Sequence, residues 1–278
     1  MRLRGASAAR PGAKMGDLMS SPGAAPGPAS APGRQQRVVI VMPAYNAAKT
    51  LEDTFRAIPA GFFDEIVVVD DHSGDDTTGL AQRLNLKAIR HPHNVGYGGN
   101  QKTCYMEALR DGAQIVVMLH PDGQYDPQII PEMIRPIQEG RADMVLGSRM
   151  MTPGGARRGG MPAWKRVANW FLTTVENLAM RRRFSECHTG YRAYSRRFLE
   201  TVPFLRNSNG FVFDTEVIFQ AVHFELPVVE VPISTRYFED ASSVGFRAGV
   251  VYGLGTLWTA LRFLLHRGGI VQSDKFRR

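Results

Sequence analysis

The sequence predicts an α/β protein built on a mostly parallel sheet. Three short apolar runs, at 38–42, 66–69 and 115–119, alternate with stretches in which apolar residues recur at helical spacing. Runs of this kind are typical of strands covered on both faces, and their alternation with helices predicts β-α units. Each run leads into polar residues. Because the carboxyl ends of parallel strands meet at one edge of a sheet, we expect a ligand site at that edge.

The composition limits the class of protein. The chain has 278 residues, of which 44% are hydrophobic and 22% charged, so it can form one large or two small domains with a proper core. A formal net charge of +8 favours anionic partners such as phosphates or membrane headgroups. No nucleic-acid-binding module is recognisable, so we expect no nucleic-acid partner. Two distant cysteines do not make a disulfide framework, which favours a reducing, cytoplasmic setting.

Residues 1–36 form a segment of different character. They are rich in Ala, Pro, Gly, Ser and Arg, contain a single acidic residue, Asp17, and show no periodicity. We expect this arm to be disordered. It lacks the apolar core of a secretory signal, although its composition resembles an organelle transit peptide. An upstream start codon before Met15 or Met19 explains the arm equally simply.

The first predicted unit is a strand, a turn and a helix. The run at 38–42 ends at Pro43, and Tyr45 and Asn46 follow before a helix from about residue 51. The turn has no Gly-x-Gly-x-x-Gly pattern, which disfavours a dinucleotide cofactor. Tyr45 could stack on a base and Asn46 could bond to the base edge. Alternatively, Asn46 caps the helix.

The second unit places acidic residues at a strand end. Asp75 or Asp76 is expected to cap the helix that follows the second run. This leaves Asp70 and Asp71 at the strand tip without an evident structural role. Carboxylates there can accept hydrogen bonds from a base or from ribose hydroxyls. The alternative is a solvated acidic loop.

A glycine-rich segment follows a third short strand at 87–89. Asn94 is followed by Gly96 and Gly98 at the start of a helix. Such glycines allow close backbone approach at a helix N-terminus, which predicts a shelf for a phosphate or sugar. Arg90 and Lys102 are candidates to meet the phosphates, although a single Lys on a helix is usually just exposed.

The fourth strand ends in a set of metal-compatible side chains. His120, Asp122 and Gln124 occupy alternate positions of one extended segment, so their side chains can point the same way. This oxygen-rich set suits Mg²⁺ or Mn²⁺, which would bridge a diphosphate. Alternatively, Asp122 simply forms a turn. Asp126 before Pro127 is expected to cap the next helix.

The second half contains several basic segments. The loop at 152–160 could fold over a ligand or be an ordinary surface loop. A helix from about 163 to 183 ends in three arginines, which suit a helix C-terminus or a basic patch facing a membrane. Arg192, in a strand at 189–194, suits bidentate phosphate contact. Pro232 marks 228–233 as an edge strand.

The C-terminal segment 247–267 has apolar residues at helical spacing. Its uncharged part runs from Ala248 to Leu261, short of the roughly 20 residues that cross a bilayer. Trp258 and the flanking cations fit an interfacial helix on an anionic surface. Alternatively, the helix packs against the body of the protein or forms a dimer contact. A homo-oligomer is therefore one of the expected possibilities.

As a set, these motifs resemble those of family 2 glycosyltransferases of the GT-A fold, and they are most similar to polyprenyl-phosphate sugar transferases of the dolichyl-phosphate mannosyltransferase type. The resemblance covers residues 38 to about 245. It implies a Rossmann-like three-layer sandwich with a mixed, mostly parallel sheet, followed by an amphipathic C-terminal helix. The matching segments are Pro43–Asn46, Val68–Thr77, Arg90–Gly99, His120–Gln124, Gly147–Arg149, Thr189–Arg192 and the region of Glu216.

The resemblance also implies a domain division. Residues 37–245 form the glycosyltransferase domain, with a nucleotide-sugar half at 37–150 and an acceptor half at 151–245. Residues 246–278 form the amphipathic helix and tail. The expected location is cytoplasmic, with peripheral contact on the inner face of the membrane.

The implied activity is a metal-dependent, inverting transfer of a sugar from a nucleoside-diphosphate sugar to an acceptor, with a polyprenyl phosphate the expected one. The expected cofactor is Mg²⁺ or Mn²⁺. The implied residues are Asp122, Arg149 and Arg192 for catalysis; Pro43, Tyr45, Asn46, Asp70, Asp71, Asn94, Gly96, Gly98, Lys102 and Asp122 for the donor; Arg149, Arg192, Glu216 and Arg236 for the acceptor; and Asp122, Gln124 and His120 for the metal.

One departure from the family bears on the activity. The family usually has Asp-x-Asp where this chain has His120-Pro121-Asp122, which weakens a two-carboxylate metal site. The alternatives are a nucleotide-sugar-binding pseudoenzyme and a nucleotidyltransferase. A hydroxyl acceptor would need a general base, for which Asp214 and Glu216 are the candidates, whereas a phosphate acceptor arrives ionised and needs none.

Overall fold

A computed structural model describes residues 36–235 and 245–278. The predicted disordered arm lies outside the described residues except for Gln36, and the predicted acceptor residue Arg236 also lies outside them.

The described residues contain one seven-stranded sheet. Its strands are β1 (Val38–Ala44), β2 (Glu65–Asp70), β3 (Lys87–Arg90), β4 (Ile115–Met118), β5 (Met144–Ser148), β6 (Arg192–Ser195) and β7 (Val228–Pro232). The order across the sheet is β3-β2-β1-β4-β6-β5-β7. Strand β6 runs antiparallel to both of its neighbours, and the other pairs are parallel. The predicted mixed, mostly parallel sheet is therefore confirmed, and β7 with Pro232 lies at an edge as expected.

Helices cover both faces of the sheet. They are α1 (Leu51–Arg56), α2 (Thr77–Arg83), α3 (Tyr97–Arg110), α4 (Ile130–Gln138), α5 (Gly155–Arg158), α6 (Ala163–Met180), α7 (Arg196–Thr201), α8 (Phe213–His223) and α9 (Phe246–Arg267). Alternate residues of β1 enter opposite cores: Val39 and Val41 pack with α3, α6, α8 and α9, whereas Ile40 and Met42 pack with α1, α2 and α4. Burial on both faces explains the continuous apolar runs.

The strand order creates a crevice between β1 and β4. From β1 the chain moves outward to β2 and β3, and it then returns to place β4 on the other side of β1. The connection after β1 leads toward the β3 edge of the sheet, whereas the connection after β4 leads toward the β7 edge. In open α/β sheets such a switch point leaves a crevice at the carboxyl ends of the strands, where ligands bind.

Helix α6 ends earlier than predicted. Arg181 adopts a left-handed conformation with φ 55°, so the helix stops at Met180 and the three arginines follow it instead of forming its last turn. Their side chains are exposed. Arg181 is the C-cap of α6, so the arginines lie directly at the helix C-terminus, where positive charge is favourable, and their exposure also leaves them available to a membrane surface.

Helix α9 packs along α6 and α8. Thr256, Ala260 and Phe263 are buried, whereas the opposite face exposes Val251 and Leu254. The segment Arg247–Arg267 has a mean hydropathy of 1.4 in its most apolar window, so length and composition alone would allow a membrane span, although 22% of that window is buried in the protein. The uncharged stretch from Ala248 to Leu261 is shorter than this helix, because the helix also includes charged residues at both ends.

Candidate functional site

A cavity of about 1120 Å³ opens at the carboxyl ends of β1 and β4. It extends from the loops after β1 and β2 to the space between α6 and α9. The predicted site residues that line it are Pro43, Tyr45, Asn46, Asp71, Asn94, Gly96, His120, Asp122, Gln124 and Arg149. After the roles that the resemblance implies for these residues, we call the part beside Tyr45, Asp71 and Asn94 the donor end, and the part beside Arg149 the acceptor end.

Carboxylates hold the loops of the donor end in place. Asp71 Oδ1 accepts a hydrogen bond from Val95 N–H at 2.8 Å, and its Oδ2 accepts one from Gly96 N–H at 3.0 Å. Asp70 is buried and accepts hydrogen bonds from the backbone and hydroxyl of Ser73, at 2.8 and 2.5 Å. The expectation that these aspartates lack a structural role is therefore wrong. Asp71 still lines the cavity, whereas Asp70 does not.

Asn46 joins the loops after β1 and β2. Its Oδ1 accepts a hydrogen bond from Gly74 N–H at 2.8 Å, and its own N–H donates to Ser73 Oγ at 2.8 Å. Asn46 itself has a left-handed φ of 51°, and its side chain makes no cap to α1. This arrangement presents the neighbouring Tyr45 ring, 59% exposed, at the rim of the donor end.

Of the two candidates to cap α2, Asp76 is the N-cap residue but its side chain makes no capping hydrogen bond, and the start of the helix is instead bonded by Asp75, a cavity-lining residue one position earlier. Its Oδ1 accepts a hydrogen bond from Thr77 N–H at 3.1 Å, and its Oδ2 accepts one from Ala48 N–H at 3.0 Å. Burial alone would raise the pKa of Asp75, but these hydrogen bonds and that from the Thr77 hydroxyl favour the anion and hold the pKa below its usual value.

The glycines at the start of α3 make room for the protein's own backbone. Gly98 and Gly99 N–H donate to Asn209 C=O, at 2.7 and 3.2 Å, and a Cβ on Gly98 would come within 2.5 Å of Ser208 O. The first amides of this helix therefore face a protein carbonyl. The predicted shelf for a phosphate at this terminus does not form, because the chain around Asn209 fills the space.

Two cations expected at the phosphates point elsewhere. Lys102 Nζ donates to Asn207 C=O and to Asn209 Oδ1, so it fastens the same segment that covers α3. Arg90 donates to Ser73 C=O at 2.8 Å. Neither residue lines the cavity.

The centre of the cavity holds the predicted metal-binding segment. Asp122 Oδ1 accepts a hydrogen bond from Gln124 N–H at 3.0 Å, so Asp122 also forms the turn considered as its alternative role. Asp126 accepts a hydrogen bond from Gln128 N–H at 3.0 Å and caps the short 3₁₀ helix at Pro127–Ile129, as predicted.

The His120 ring is enclosed by aromatic residues. It stacks on Tyr97 with ring centroids 5.5 Å apart, and Tyr125 lies 6.1 Å away on another side. Its Nε2 is 3.3 Å from the Tyr97 hydroxyl. A Cβ on Gly190 would lie 2.7 Å from the same nitrogen, so glycine is needed there for the ring to fit.

The donor set fits a divalent cation that shares its coordination with a substrate. Within residues 36–235 and 245–278, no three His, Cys, Asp or Glu side chains converge on one point. Asp122 and Gln124 supply oxygens at the cavity centre. Mg²⁺ is commonly held by one or two carboxylates plus substrate phosphates, and this set has that composition.

Asp214 lies at the wall beside His120 but is fully engaged. The Tyr97 hydroxyl donates to its Oδ2 at 2.7 Å and Gln101 Nε2 donates to its Oδ1 at 3.2 Å. Arg192 lies 3.5 Å from the same carboxylate. Burial and the charge of Asp214 raise the pKa of Tyr97, which keeps the phenol a donor. Both oxygens of the Asp214 carboxylate are therefore engaged within the protein.

Arg192 and Glu216 do not reach the cavity. Arg192 is completely buried, and its guanidinium donates to Thr189 C=O at 2.9 Å and to Asp214 C=O at 2.8 Å. Glu216 accepts a hydrogen bond from Ser208 N–H at 2.6 Å and pairs with Lys275. Direct acceptor contact, expected for both, does not fit these positions, because the protein's own backbone takes their hydrogen bonds.

Arg149 brings a cation to the acceptor end. Its Nε donates to Glu186 at 2.8 Å, and its backbone N–H donates to the same carboxylate at 2.7 Å. Burial alone would raise the pKa of Glu186, but the Arg149 charge and these hydrogen bonds hold it below its usual value. The pKa of Lys165, which lines the cavity nearby, is lowered by burial and by the Arg149 charge. Two cations therefore repel each other there.

Several residues of the acceptor end were not identified from the sequence. They are Trp164, Lys165, Asn169, Leu172, His188 and Tyr252. No motif marks them, because they come from α6, from the segment before β6 and from α9. His188 directly precedes the Thr189-Gly-Tyr-Arg192 motif, and this adjacency was the one available signal.

Comparison with known proteins identifies the family. The model of Glycosyl transferase family 2 matches residues 39–202. The chain is 30% identical over 211 residues to the polyprenol monophosphomannose synthase of Mycolicibacterium smegmatis, covering 72% of this chain and 77% of the relative. It is 28% identical over 225 residues to the UDP-N-acetylglucosamine–dolichyl-phosphate N-acetylglucosaminyltransferase of Methanococcus voltae, covering 75% and 89%.

A solved structure has the same fold. The glucosyl-3-phosphoglycerate synthase of Mycobacterium tuberculosis, in complex with Mn²⁺, UDP and phosphoglyceric acid, matches with a TM-score of 0.64 at 19% identity, covering 86% of this chain and 81% of that one. The expected GT-A architecture is thereby confirmed. From the family model and the curated relatives, the chain belongs to glycosyl transferase family 2, as its motifs indicated.

Proposed function

We propose that this glycosyltransferase moves a sugar from a nucleoside-diphosphate sugar to the phosphate of a polyprenyl phosphate. The observation that carries the proposal is the chemical division of one cavity. Carboxylates and an exposed Tyr45 lie at the donor end, Asp122 and Gln124 at the centre, and Arg149 with Lys165 at the acceptor end.

The donor would lie across the switch point between β1 and β4. Asp71 and Asn94 can bond to base or ribose, and Tyr45 can stack on the base. Asp122 and Gln124 would hold Mg²⁺ or Mn²⁺ against the diphosphate; when bound, such an ion stabilises the negative charge of the departing nucleoside diphosphate. The structural neighbour was solved in complex with Mn²⁺ and UDP, which supports both assignments.

The acceptor would enter from the opposite end. A phosphate is ionised at neutral pH, so it can attack the anomeric carbon directly, in line with the departing diphosphate and with inversion of configuration. This reaction needs no general base. The engagement of Asp214 by Tyr97, Gln101 and Arg192 agrees with that mechanism, because a base would have to be free to accept a proton.

Cations at the acceptor end suit a phosphate better than a hydroxyl. Arg149 can offer its guanidinium to phosphate oxygens while Glu186 fixes its orientation. A bound dianion would also relieve the repulsion between Arg149 and Lys165. The curated relatives that act on dolichyl phosphate and polyprenol support a lipid carrier.

The walls of the acceptor end continue into an exposed apolar surface on α6 and α9. The cavity-lining residues Trp164 and Leu172 lead to the exposed residues Val167, Trp170, Phe171, Leu178, Val250, Val251, Leu254, Trp258, Leu261 and Leu264. We call these ten residues the apolar face. The exposed cations Arg181, Arg182 and Arg183 and the half-buried Arg262 flank it. This pattern supports peripheral docking on an anionic membrane, from which the lipid chain would enter the cavity.

The proposal is tested with the full chain and vesicles that contain polyprenyl phosphate. A panel of nucleotide sugars is added with and without Mn²⁺, and products are identified by mass spectrometry. Formation of a polyprenyl-phosphate sugar and free nucleoside diphosphate supports the proposal. Calorimetric binding of a donor without turnover would instead indicate the pseudoenzyme, and release of pyrophosphate from a nucleoside triphosphate would indicate a nucleotidyltransferase.

A further inference from the structure

A polar chain lies buried between α6, α8 and α9 next to the acceptor end. The Tyr252 hydroxyl is 2.6 Å from His188 Nδ1 and 3.2 Å from Thr215 Oγ1. On the other side of the imidazole, Nε2 is 3.1 Å from Glu176 Oε2. His188 and Tyr252 also line the cavity, so the chain connects a buried carboxylate on α6 to the wall of the site.

Glu176 is the unusual member of this chain. Its carboxylate is completely buried, and neither oxygen has a well-aligned hydrogen-bond donor among the described residues. A buried carboxylate without a compensating charge is strongly unfavourable. The cation within reach is the His188 ring, whose side chain is 8% exposed. One proton shared between Glu176 and His188 makes the pair electrically neutral.

The other charged groups around the pair are already compensated. Arg149, which donates to His188 C=O at 2.8 Å, is paired with Glu186. Arg192 from β6 is paired with Asp214 from α8. The remaining neighbours are Glu230 from β7, which accepts hydrogen bonds from Ser185, and the buried Cys187 thiol, whose pKa is raised by burial. Glu176 therefore depends on His188.

Placed on the imidazole, the shared proton gives the ring a donor on each nitrogen. A free imidazole has a pKa about two units above that of a free carboxyl group, and both partners are buried here. Nδ1–H can then donate to the Tyr252 oxygen, and Nε2 lies 3.1 Å from Glu176 Oε2, a charge contact that is not aligned as a hydrogen bond. Tyr252 keeps its own proton, because burial and the Glu176 charge raise the Tyr252 pKa.

We propose that Glu176 holds His188 as an imidazolium ion, and that His188 and Arg149 together bind the phosphate of the acceptor. This inference rests on the proposed function. Glu176 is a positioning residue that acts through His188, and Tyr252 fixes the ring orientation. A second cation beside Arg149 would draw the acceptor phosphate to this wall and away from the donor diphosphate.

The first test measures the charge of His188 without any turnover. Nitrogen-15 NMR of histidine-labelled protein at pH 7.5, with the His188 signals assigned from their loss in His188→Gln, should show protons on both ring nitrogens. Glu176→Gln should convert the ring to a neutral tautomer, whereas Tyr252→Phe should leave it charged, since the charge depends on Glu176. A neutral His188 in the unmodified protein would overturn the inference, even if the enzyme proves to be the proposed transferase.

The second test measures ligand position. Titration with a water-soluble short-chain isoprenyl phosphate should shift the His188 signals, and inorganic phosphate should shift them less if the lipid chain contributes. Glu176→Gln and His188→Gln should each raise the acceptor KM about tenfold and leave the donor KM unchanged. The acceptor KM of the double variant should be no higher than that of either single variant, because Glu176 acts through His188. Equal changes in both KM values would place the phosphate elsewhere.

Discussion

The two ends of the cavity are built in opposite ways. At the donor end, Asp70, Asp71 and Asp75 are all engaged in hydrogen bonds with the loops around them, so this end is fixed before any ligand arrives. At the acceptor end, Arg149 and Lys165 repel each other and an apolar face remains exposed to solvent. The donor end is satisfied internally, whereas the acceptor end has charge and surface that a ligand would stabilise.

This difference indicates how each end should respond to change. Substitutions at the donor end and centre should act on chemistry within a preformed site. Substitutions at the acceptor end should act on binding of the phosphate and of the membrane, because the cations and the exposed apolar face there suit those two partners. The following predictions test that contrast, in order of decreasing expected effect.

The largest effect is expected at the centre of the cavity. Asp122→Ala should lower kcat by about a thousandfold or more, because it removes the carboxylate expected to hold the divalent ion at the diphosphate. Steady-state release of nucleoside diphosphate gives the rate, and circular dichroism checks the fold. Asp126→Ala is the matched control: it should lose about 1 kcal/mol of stability with its cap and keep its activity. Unchanged turnover in Asp122→Ala would remove the metal assignment.

The next effect concerns the buried ion pair behind the acceptor end. Glu186→Gln should lower the free energy of unfolding by about 3–5 kcal/mol, since it leaves the buried Arg149 without its partner. Urea denaturation at pH 7 measures the loss.

The same pair predicts a pH dependence. The folded-state pKa of Glu186 is lowered from 4.5, so its contribution is present above that pH and is lost as the pH falls through the folded-state value. Between pH 7 and 3 the unmodified protein should lose more stability than Glu186→Gln. If the free energy of unfolding fell by the same amount in both proteins over this pH range, the result would contradict the pairing of Glu186 with Arg149.

The exposed aromatic residues should control membrane binding. Trp170 is 70% and Trp258 53% exposed on the apolar face. The double change of both to Ser should weaken binding to anionic vesicles about 100-fold or more, because each ring removes apolar area worth about 1.5–3 kcal/mol when fully buried. Vesicle flotation measures the binding. Phe62→Ser, an exposed aromatic outside this face, is the control and should bind as the unmodified protein does.

The smallest effect is expected for Lys165, the lysine that lines the acceptor end. Lys165→Gln should raise the acceptor KM about tenfold, with donor KM unchanged, because one half-buried charge near a phosphate contributes about 1.4 kcal/mol. Lys102→Gln is the contrasting variant. It should lose about 1 kcal/mol of stability and leave both KM values unchanged, since Lys102 fastens the chain at Asn209. An increase in donor KM for Lys102→Gln would restore its predicted phosphate contact.

Several site residues could be placed from the sequence because they follow strands directly. Tyr45, Asp71 and Asp122 lie within a few residues of a strand end, and parallel strands bring such residues to one edge whatever the rest of the chain does. The strands themselves could be predicted because burial on both faces requires continuous apolar runs. Local position was therefore enough to locate the donor end and the centre.

The same reasoning failed where a distant segment decides the outcome. The glycines before α3 predict close approach by some backbone, and the sequence does not specify that Asn209 provides it. Arg192 has the chemistry to bind a phosphate, but carbonyls at Thr189 and Asp214 take its donors. A side chain's hydrogen-bonding partners depend on tertiary contacts, and these have no local signature.

The sequence by itself determined the α/β class, the strands and the edge of the sheet at which the cavity opens. Hydrophobic periodicity and the positions of strand ends are local properties of the chain. Only the tertiary structure decided which polar residues face the cavity. Glu176, His188 and Tyr252 lie 12 and 64 residues apart along the chain, and packing of α6 and α9 over the segment before β6 brings them into contact. Burial there determines which charges must be paired, and that decides the chemistry of the acceptor end.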